Sequence, residues 1–137
     1  MQNASGGKTA LGLENNIGAL VCYAGNILCG IGGLIYSIIV ITQDKENKLP
    51  RFHAFQSVIL SVLCVVIAIP LWLIMFVVGF VFGNSFLFFP IAGLLGLVIL
   101  GVGIAMLYFV VMSAIKAYNG EVYKIPFVGD YAEKYSN

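Results

Sequence analysis

The sequence predicts an all-α membrane protein, a bundle of three transmembrane helices with a fourth possible. Hydrophobic residues make up 61% of the 137 residues and charged residues only 9%, whereas a soluble domain carries about 25% charged residues. Mean hydropathy is +1.01. Three apolar runs, 17–42, 54–82 and 88–117, each exceed the roughly 20 residues that a helix needs to cross the hydrocarbon core.

The first two elements are a polar tail and the first span. Residues 1–16 are rich in Gly, Ser and Asn, which indicates a flexible N-terminal tail. The run 17–42 carries no charge, so we expect one tilted helix there. The segment QDKENKLPR then supplies a charged break before the second run.

The remaining spans carry prolines that fix their interpretation. Pro70 lies near the middle of 54–82. Splitting the run there would leave two pieces too short to cross, so one kinked helix is the simpler prediction. The residues GNS form a turn, and Pro90 suits the first turn of the span 88–117. Residues 118–137 form an aromatic, charged tail.

The basic residues predict an orientation. With three spans, the loop 43–53 and the C-terminal tail share one side of the membrane, and Lys8 is alone on the other. Cytoplasmic loops carry the excess of Lys and Arg. We therefore expect the N-terminus outside and the C-terminus in the cytoplasm of a bacterial inner membrane. The six basic residues on the predicted cytoplasmic side are Lys45, Lys48, Arg51, Lys116, Lys124 and Lys134.

Small residues recur every three or four positions in each span. Because helix association in lipid depends on close backbone approach, these stripes predict helix-packing faces. A pore lined by them is the alternative, but no ring of polar side chains accompanies them. The predicted packing residues are Gly18, Cys22, Gly25, Cys29 and Gly32 in the first span, Ser57, Ser61, Cys64 and Ala68 in the second, and Gly96 and Gly103 in the third.

Two polar features lie at or inside the spans. Asn26 is an amide within the first span, and we expect it to bond across helices or to a ligand, since an unpaired buried amide costs about 1–3 kcal/mol. Arg51, His53 and Gln56 extend the packing face of the second helix to the interface. His53 either bonds to a neighbouring segment or ligates a pigment or haem metal. We predict no cofactor, metal site or catalytic residues.

Other function classes find little support in the composition. The formal charge of +1 and the lack of a basic stripe argue against a nucleic-acid partner. The three cysteines are odd in number, lie in apolar runs and form no C-x-x-C motif, so a disulfide framework or zinc site is not expected.

Two motifs resemble a known family. RFHAFQS, from Arg51, and KIPFVGD, which holds Pro126, Gly129 and Asp130, are similar to segments of small bacterial membrane proteins of unknown function. That family is grouped with the membrane component of the chloroplast inner-envelope import translocon. The resemblance implies a small helical bundle with both motifs on the cytoplasmic side. It also suggests that the 126–131 segment folds back against His53 and Gln56.

The sequence as a whole predicts a non-enzymatic membrane protein. We expect an accessory or assembly subunit that packs against a larger membrane complex, which could be an energy-converting one. Two alternatives stay open: a translocation or channel component, and a module that binds lipid, quinone or pigment. The partners that the sequence predicts are therefore the bilayer and a larger membrane complex.

Overall fold

A computed structural model describes residues 7–29, 31–45 and 47–136, with residues 28 and 29 described by their backbone alone. The all-α class is confirmed over these residues, where the only β interaction is an isolated bridge between Lys8 and Glu14. The helices are α1 (Asn15–Cys29), α2 (Ile31–Gln43), α3 (Lys48–Phe82), α4 (Phe88–Tyr118) and α5 (Val128–Ser136).

The chain divides into two compact units. One comprises Met1–Ser61 and Phe109–Asn137, and we call it the polar-cored unit. The other, the 62–108 unit, comprises Val62–Tyr108, which is the apolar part of α3, the connecting turn and most of α4.

The segment 17–42 is not one helix, which corrects the expectation of a continuous first span. Helix α1 ends at Cys29 and α2 begins at Ile31, and the two helices pack against each other. Their backbones meet at two glycines, since a Cβ atom on Gly25 would lie 2.6 Å from the Cα atom of Gly33. Hydropathy alone cannot reveal this break, because both halves of the run are apolar and neither carries a charge.

The N-terminal segment 7–14 is packed, in contrast to the flexible tail expected for 1–16; residues 1–6 lie outside the described residues. Thr9 is 4% exposed. The Ala10 amide donates to Asp44 Oδ2 at 3.2 Å, and Asn47 Nδ2 donates to the Lys8 carbonyl at 2.9 Å. Because these bonds join the segment to the 44–47 loop, Lys8 and that loop cannot lie on opposite sides of a membrane. The predicted charge division of six against one is therefore wrong.

Two helices, α3 and α4, are long and apolar enough to cross a membrane by length and composition. With 35 and 31 residues, they extend about 52 and 46 Å. Helix α3 continues through Pro70, as the single-span interpretation predicted. In the 62–108 unit the side chains are largely exposed, with Phe80 85% and Phe86 83% accessible. Lipid is the environment that such a surface requires.

The polar-cored unit is built around small side chains. Its apolar cluster consists of Ala19, Cys22, Tyr23, Val40, Ala54, Ala114 and Ala117. The C-terminal segment, predicted only as an aromatic tail, carries the short helix α5. Phe127, immediately before α5, has a φ of 66° and is 83% exposed. These elements surround the polar side chains described next.

Candidate functional site

A chain of hydrogen bonds runs through the polar-cored unit and connects α1, α3 and the C-terminal segment. Tyr23 Oη lies 3.2 Å from His53 Nδ1, and Gln56 Nε2 donates to Tyr23 Oη at 3.0 Å. His53 Nε2 lies 3.1 Å from the carbonyl oxygen of Glu121. The Ile125 amide donates to Gln56 Oε1 at 3.4 Å. The side chains of Tyr23, His53 and Gln56 are fully buried, so their polar atoms depend on these bonds.

The bonding pattern assigns the tautomer of His53. A carbonyl oxygen can only accept, so Nε2 carries the proton and donates to Glu121. Nδ1 is then the acceptor for the Tyr23 hydroxyl, which accepts in turn from Gln56. An imidazolium would donate from Nδ1 to the Tyr23 hydroxyl, which would then have to direct its own proton to a different acceptor. The arrangement therefore suits a neutral His53.

Helix α4 joins the same network through a serine. Gln56 Nε2 donates to Ser113 Oγ at 3.3 Å, and Ser113 is fully buried. The amide group of Gln56 thus bonds to α1, α4 and the C-terminal segment at once. A side chain with three bonds to separate elements acts as a clamp between them.

A second polar layer links α1 and α3. Asn26 Nδ2 donates to Ser57 Oγ at 2.9 Å and to Ser61 Oγ at 3.2 Å. Ser57 Oγ donates to the carbonyl of Cys22 at 2.8 Å. The prediction that Asn26 bonds across helices is therefore confirmed. Its oxygen Oδ1 is buried without a hydrogen-bond partner, and it would lie 2.6 Å from a Cβ atom on Gly33.

The remaining small residues of the first stripe lie within the α1–α2 pair. Gly18 lies so close to Thr9 that a Cβ atom on it would be 2.5 Å from the Thr9 methyl group. Cys22 is buried and Gly32 is partly buried. The side chain of Cys29 lies outside the described residues. The expected face thus packs partly within its own segment, where Gly25 meets Gly33, and partly against α3, where the Cys22 carbonyl accepts from Ser57.

The other predicted packing residues lie in the 62–108 unit and are open. Cys64 and Ala68 are exposed on α3. A Cβ atom added to Gly96 or Gly103 would meet no atom within 4 Å. Their packing role stays a prediction.

The C-terminal segment contacts His53 and Gln56, but through backbone atoms that precede the expected 126–131 segment in the chain. The 121–125 segment reaches His53 and Gln56 through Glu121 and Ile125. Gly129, in contrast, packs against Lys124 in its own segment, because a Cβ atom on Gly129 would lie 2.7 Å from Lys124 Cα. Pro126 and Asp130 are exposed. The tail does fold back, but the residues between 120 and 126 make the bonds.

Arg51 and the ion pairs lie around the buried network. The Arg51 guanidinium lies 5.7 Å from the Phe55 ring centroid, while its Nε is buried without a hydrogen-bond partner. Lys116 pairs with Glu121, and Lys124 with Glu133, each at 2.7 Å. The hydrogen bond from Lys124 lowers the pKa of Glu133, and the same bond raises the pKa of Lys124.

The chemistry available to this network is limited. Both ring nitrogens of His53 are hydrogen-bonded, so the ring as placed offers no free lone pair to a pigment or haem metal. Among the described residues, no group of three or more His, Cys, Asp or Glu side chains could hold a metal ion. Sequence reasoning missed Tyr23 and Ser113, because a tyrosine and a serine in an apolar run show no pattern that marks them as partners of Gln56.

An apolar groove of about 360 Å³ opens on the surface of the polar-cored unit. Its walls come from α1 and from the C-terminal part of α4, and Asn16 Nδ2 donates to the carbonyl of Tyr118 at one end, at 3.3 Å. The lining residues are Leu20, Ala24, Ile27, Val111, Ala114, Ile115 and Tyr118.

Comparison with known proteins gives the family. The profile of the magnetosome magnetite crystal formation protein family, MamF/MmsF, matches residues 14–132. The chain belongs to this family. It is also 35% identical over 131 residues to a UPF0132 membrane protein of Methanocaldococcus jannaschii, covering 95% of this chain and 96% of the relative. A second UPF0132 protein of that organism is 36% identical over 126 residues, or 92% of this chain and 73% of the relative.

A more distant UPF0132 membrane protein, of Archaeoglobus fulgidus, is 29% identical over 102 residues, or 74% of this chain and 82% of the relative. No solved structure matches the chain. These findings support membership of a family of small membrane proteins of unknown function. The relatives named here are archaeal, so a bacterial source and a link to the import translocon stay predictions.

Proposed function

We propose that this MamF/MmsF-family protein is a non-enzymatic membrane protein that organises a larger assembly in the bilayer. The 62–108 unit would bind helices of other membrane proteins. The observation that carries the proposal is the open face of α4. Gly96 and Gly103 lie seven residues apart on one side of the helix, and a Cβ atom on either would meet nothing within 4 Å.

Open glycines on an apolar helix favour association in lipid. A neighbouring helix can approach such a face closely, and the close approach gains dispersion contacts that lipid chains do not match. Gly93 also has open space at its Cβ position and lies beside the same face. The exposed side chains around them, such as Leu100 at 58% and Leu107 at 54%, would pack around the crossing point.

The orientation we propose has both termini in the cytoplasm. All seven Lys and Arg residues of the chain belong to the polar-cored unit, and the turn 83–87 carries no charge. The bonds from Asn47 Nδ2 to the Lys8 carbonyl and from the Ala10 amide to Asp44 place the N-terminal segment beside the basic loop. Because basic segments are retained in the cytoplasm, these features favour a cytoplasmic N-terminus as well as a cytoplasmic C-terminus.

The family description, which names magnetite crystal formation, is consistent with a membrane-organising role. For this chain we propose that role rather than direct metal ligation. His53, the single histidine of the sequence, uses both ring nitrogens in the buried network. A subunit that positions other membrane proteins needs no metal site of its own.

A second candidate function, lipid or quinone binding, is favoured by the groove between α1 and α4. Every residue that lines it is apolar or aromatic, and its volume is about 360 Å³. Ala24→Leu and Ala114→Leu would narrow the groove from both walls. If the groove holds a lipid tail in the purified protein, the double variant should release it, and mass spectrometry of extracted lipids would show the loss.

The assembly proposal is tested by particle size after gentle detergent extraction. The native chain should migrate as a large, defined particle on a native gel. Gly96→Leu with Gly103→Leu should reduce the particle to the single-chain size, since the leucines block close approach. Val98→Leu, on the opposite side of α4 and 56% exposed, is the matched control and should leave the particle intact. A native chain that already migrates alone would contradict the proposal.

A further inference from the structure

We infer that the α1–α2 pair is a re-entrant hairpin that enters the membrane from the charged side without crossing it, and that it couples the protein to membrane curvature. The partner of this surface is the bilayer leaflet itself. The inference uses the proposed side of the charged residues but not the proposed assembly, so each can fail without the other.

Polar bonds hold the two ends of the hairpin close together. Asn47 is the centre of this arrangement: its Nδ2 bonds to the Lys8 carbonyl at 2.9 Å and to Asp44 Oδ1, and its Oδ1 accepts from Asn15 at 3.3 Å. The Ala10 amide adds a bond to Asp44. The residues that precede α1 therefore contact the residues that follow α2. A chain tied in this way leaves the membrane on the side where it entered.

The helices of the hairpin are too short to cross. With 15 and 13 residues, α1 and α2 extend about 22 and 20 Å, against a hydrocarbon thickness of about 30 Å. An apolar helix pair of this length reaches past the middle of the bilayer at most. Helices satisfy their own backbone groups, so this depth is accessible to them.

The outer surface of the hairpin is apolar, and its polar Asn26 side chain bonds inwards to α3. Ile27, Ile31, Ile35 and Ile38 are 51, 69, 53 and 46% exposed. Burying this much apolar surface in hydrocarbon is favourable, at about 25 cal/mol per Å². The amide nitrogen of Asn26 is turned inwards onto the α3 serines. The pair thus presents an apolar exterior over the length that α1 and α2 provide.

Insertion from one side creates an imbalance of area. The hairpin adds its cross-section over the full depth of the leaflet on the charged side and over only a small part of the other leaflet. Helices α3 and α4 contribute to both leaflets, since each is long enough to cross. Bending the membrane so that the leaflet on the charged side expands relieves this imbalance of area. The protein should therefore concentrate where that leaflet is convex.

The topology is tested with single cysteines in a background in which Cys22, Cys29 and Cys64 are replaced by alanine. Lys8→Cys and Lys45→Cys should react with a membrane-impermeant maleimide from the same side of a vesicle. Asn84→Cys, in the uncharged turn, should react from the opposite side. Ile31→Cys should react from neither side while the membrane is intact and should react in detergent. Reaction of Ile31→Cys from the side of Asn84→Cys would overturn the re-entrant hairpin.

The curvature coupling is tested on membrane tethers pulled from giant vesicles of phosphatidylethanolamine and phosphatidylglycerol. Dye added outside labels Lys45→Cys only on molecules whose charged side faces outwards, and Asn84→Cys only on molecules of opposite orientation. We expect the Lys45 label to be enriched about twofold in the tether and the Asn84 label to be depleted. Equal tether-to-vesicle ratios for the two labels would overturn the inference.

A pair of variants tests whether the hairpin is the cause. Ile35→Ala with Ile38→Ala trims the lipid-facing volume of α2, and the tether enrichment should fall towards unity. Leu97→Ala with Val98→Ala removes a similar volume from a spanning helix at mid-depth and should leave the enrichment unchanged. An equal fall in both double variants would contradict the hairpin as the source. Unchanged labelling of Lys8→Cys and Lys45→Cys in each background shows that the topology is intact.

Discussion

Replacing Gln56 by methionine should release the C-terminal segment from the polar-cored unit. Gln56 is fully buried and bonds to Tyr23, to Ser113 and to the amide of Ile125. Methionine has nearly the same volume, so the packing cost is small. The loss is therefore one of hydrogen bonding, and it falls mainly on the buried Ile125 amide, whose acceptor is Gln56 Oε1.

The magnitude follows from the group left unpaired. A buried amide without an acceptor costs about 1–3 kcal/mol. Tyr23 keeps its bond to His53, and Ser113 loses only one accepted bond, of 3.3 Å, so these two groups add less than the Ile125 amide. We expect opening of the 121–125 segment to become about 2 kcal/mol easier, which is about a 30-fold change in the opening equilibrium.

Amide hydrogen exchange in detergent micelles measures this change directly. The Ile125 amide should exchange about 30-fold faster in Gln56→Met than in the native chain. Gln43→Met is the matched control, because Gln43 is exposed at the end of α2 and the chemical change is identical. Native-like protection of Ile125 in Gln56→Met would refute the clamp.

Three further predictions concern packing and charge. Gly33→Ala should lower the free energy of unfolding by about 1–3 kcal/mol, because its Cβ would lie 2.6 Å from Asn26 Oδ1; a native-like melting temperature in detergent would count against the tight α1–α2 crossing. Gly101→Ala, with no atom within 4 Å of the added carbon, should be neutral or stabilising by about 0.5–1 kcal/mol in the same melt. Because Lys124 lowers the pKa of Glu133, their pair stabilises α5 at neutral pH, and this contribution disappears as the pH falls through the lowered value. Glu133→Gln should therefore raise the protease sensitivity of α5 at neutral pH and low salt, but not in acid. Equal protease sensitivity of the native and variant chains at neutral pH would contradict the stabilising role of the pair.

Much of the site could be located from sequence, but not its partners. Arg51, His53 and Gln56 stand out as polar residues where an apolar run begins, and Asn26 as an amide inside one. Which atoms they bond to depends on contacts between residues 30 to 69 positions apart, such as Gln56 with Ile125. Hydrophobic periodicity contains no information about such long-range pairing. The C-terminal contact was therefore expected at residues 126–131, whereas Glu121 and Ile125 make the bonds.

The composition and the length of the apolar runs determined the all-α class, the membrane environment and the helical course of 54–82 and 88–117. These properties follow from local energetics, because each residue's transfer free energy adds to that of its neighbours whatever the fold. Only the tertiary structure decided that 17–42 folds as two helices with both ends on one side. A break of this kind depends on Gly25 meeting Gly33 and on the bonds of Asn47, and these contacts exist only after the chain has reversed direction.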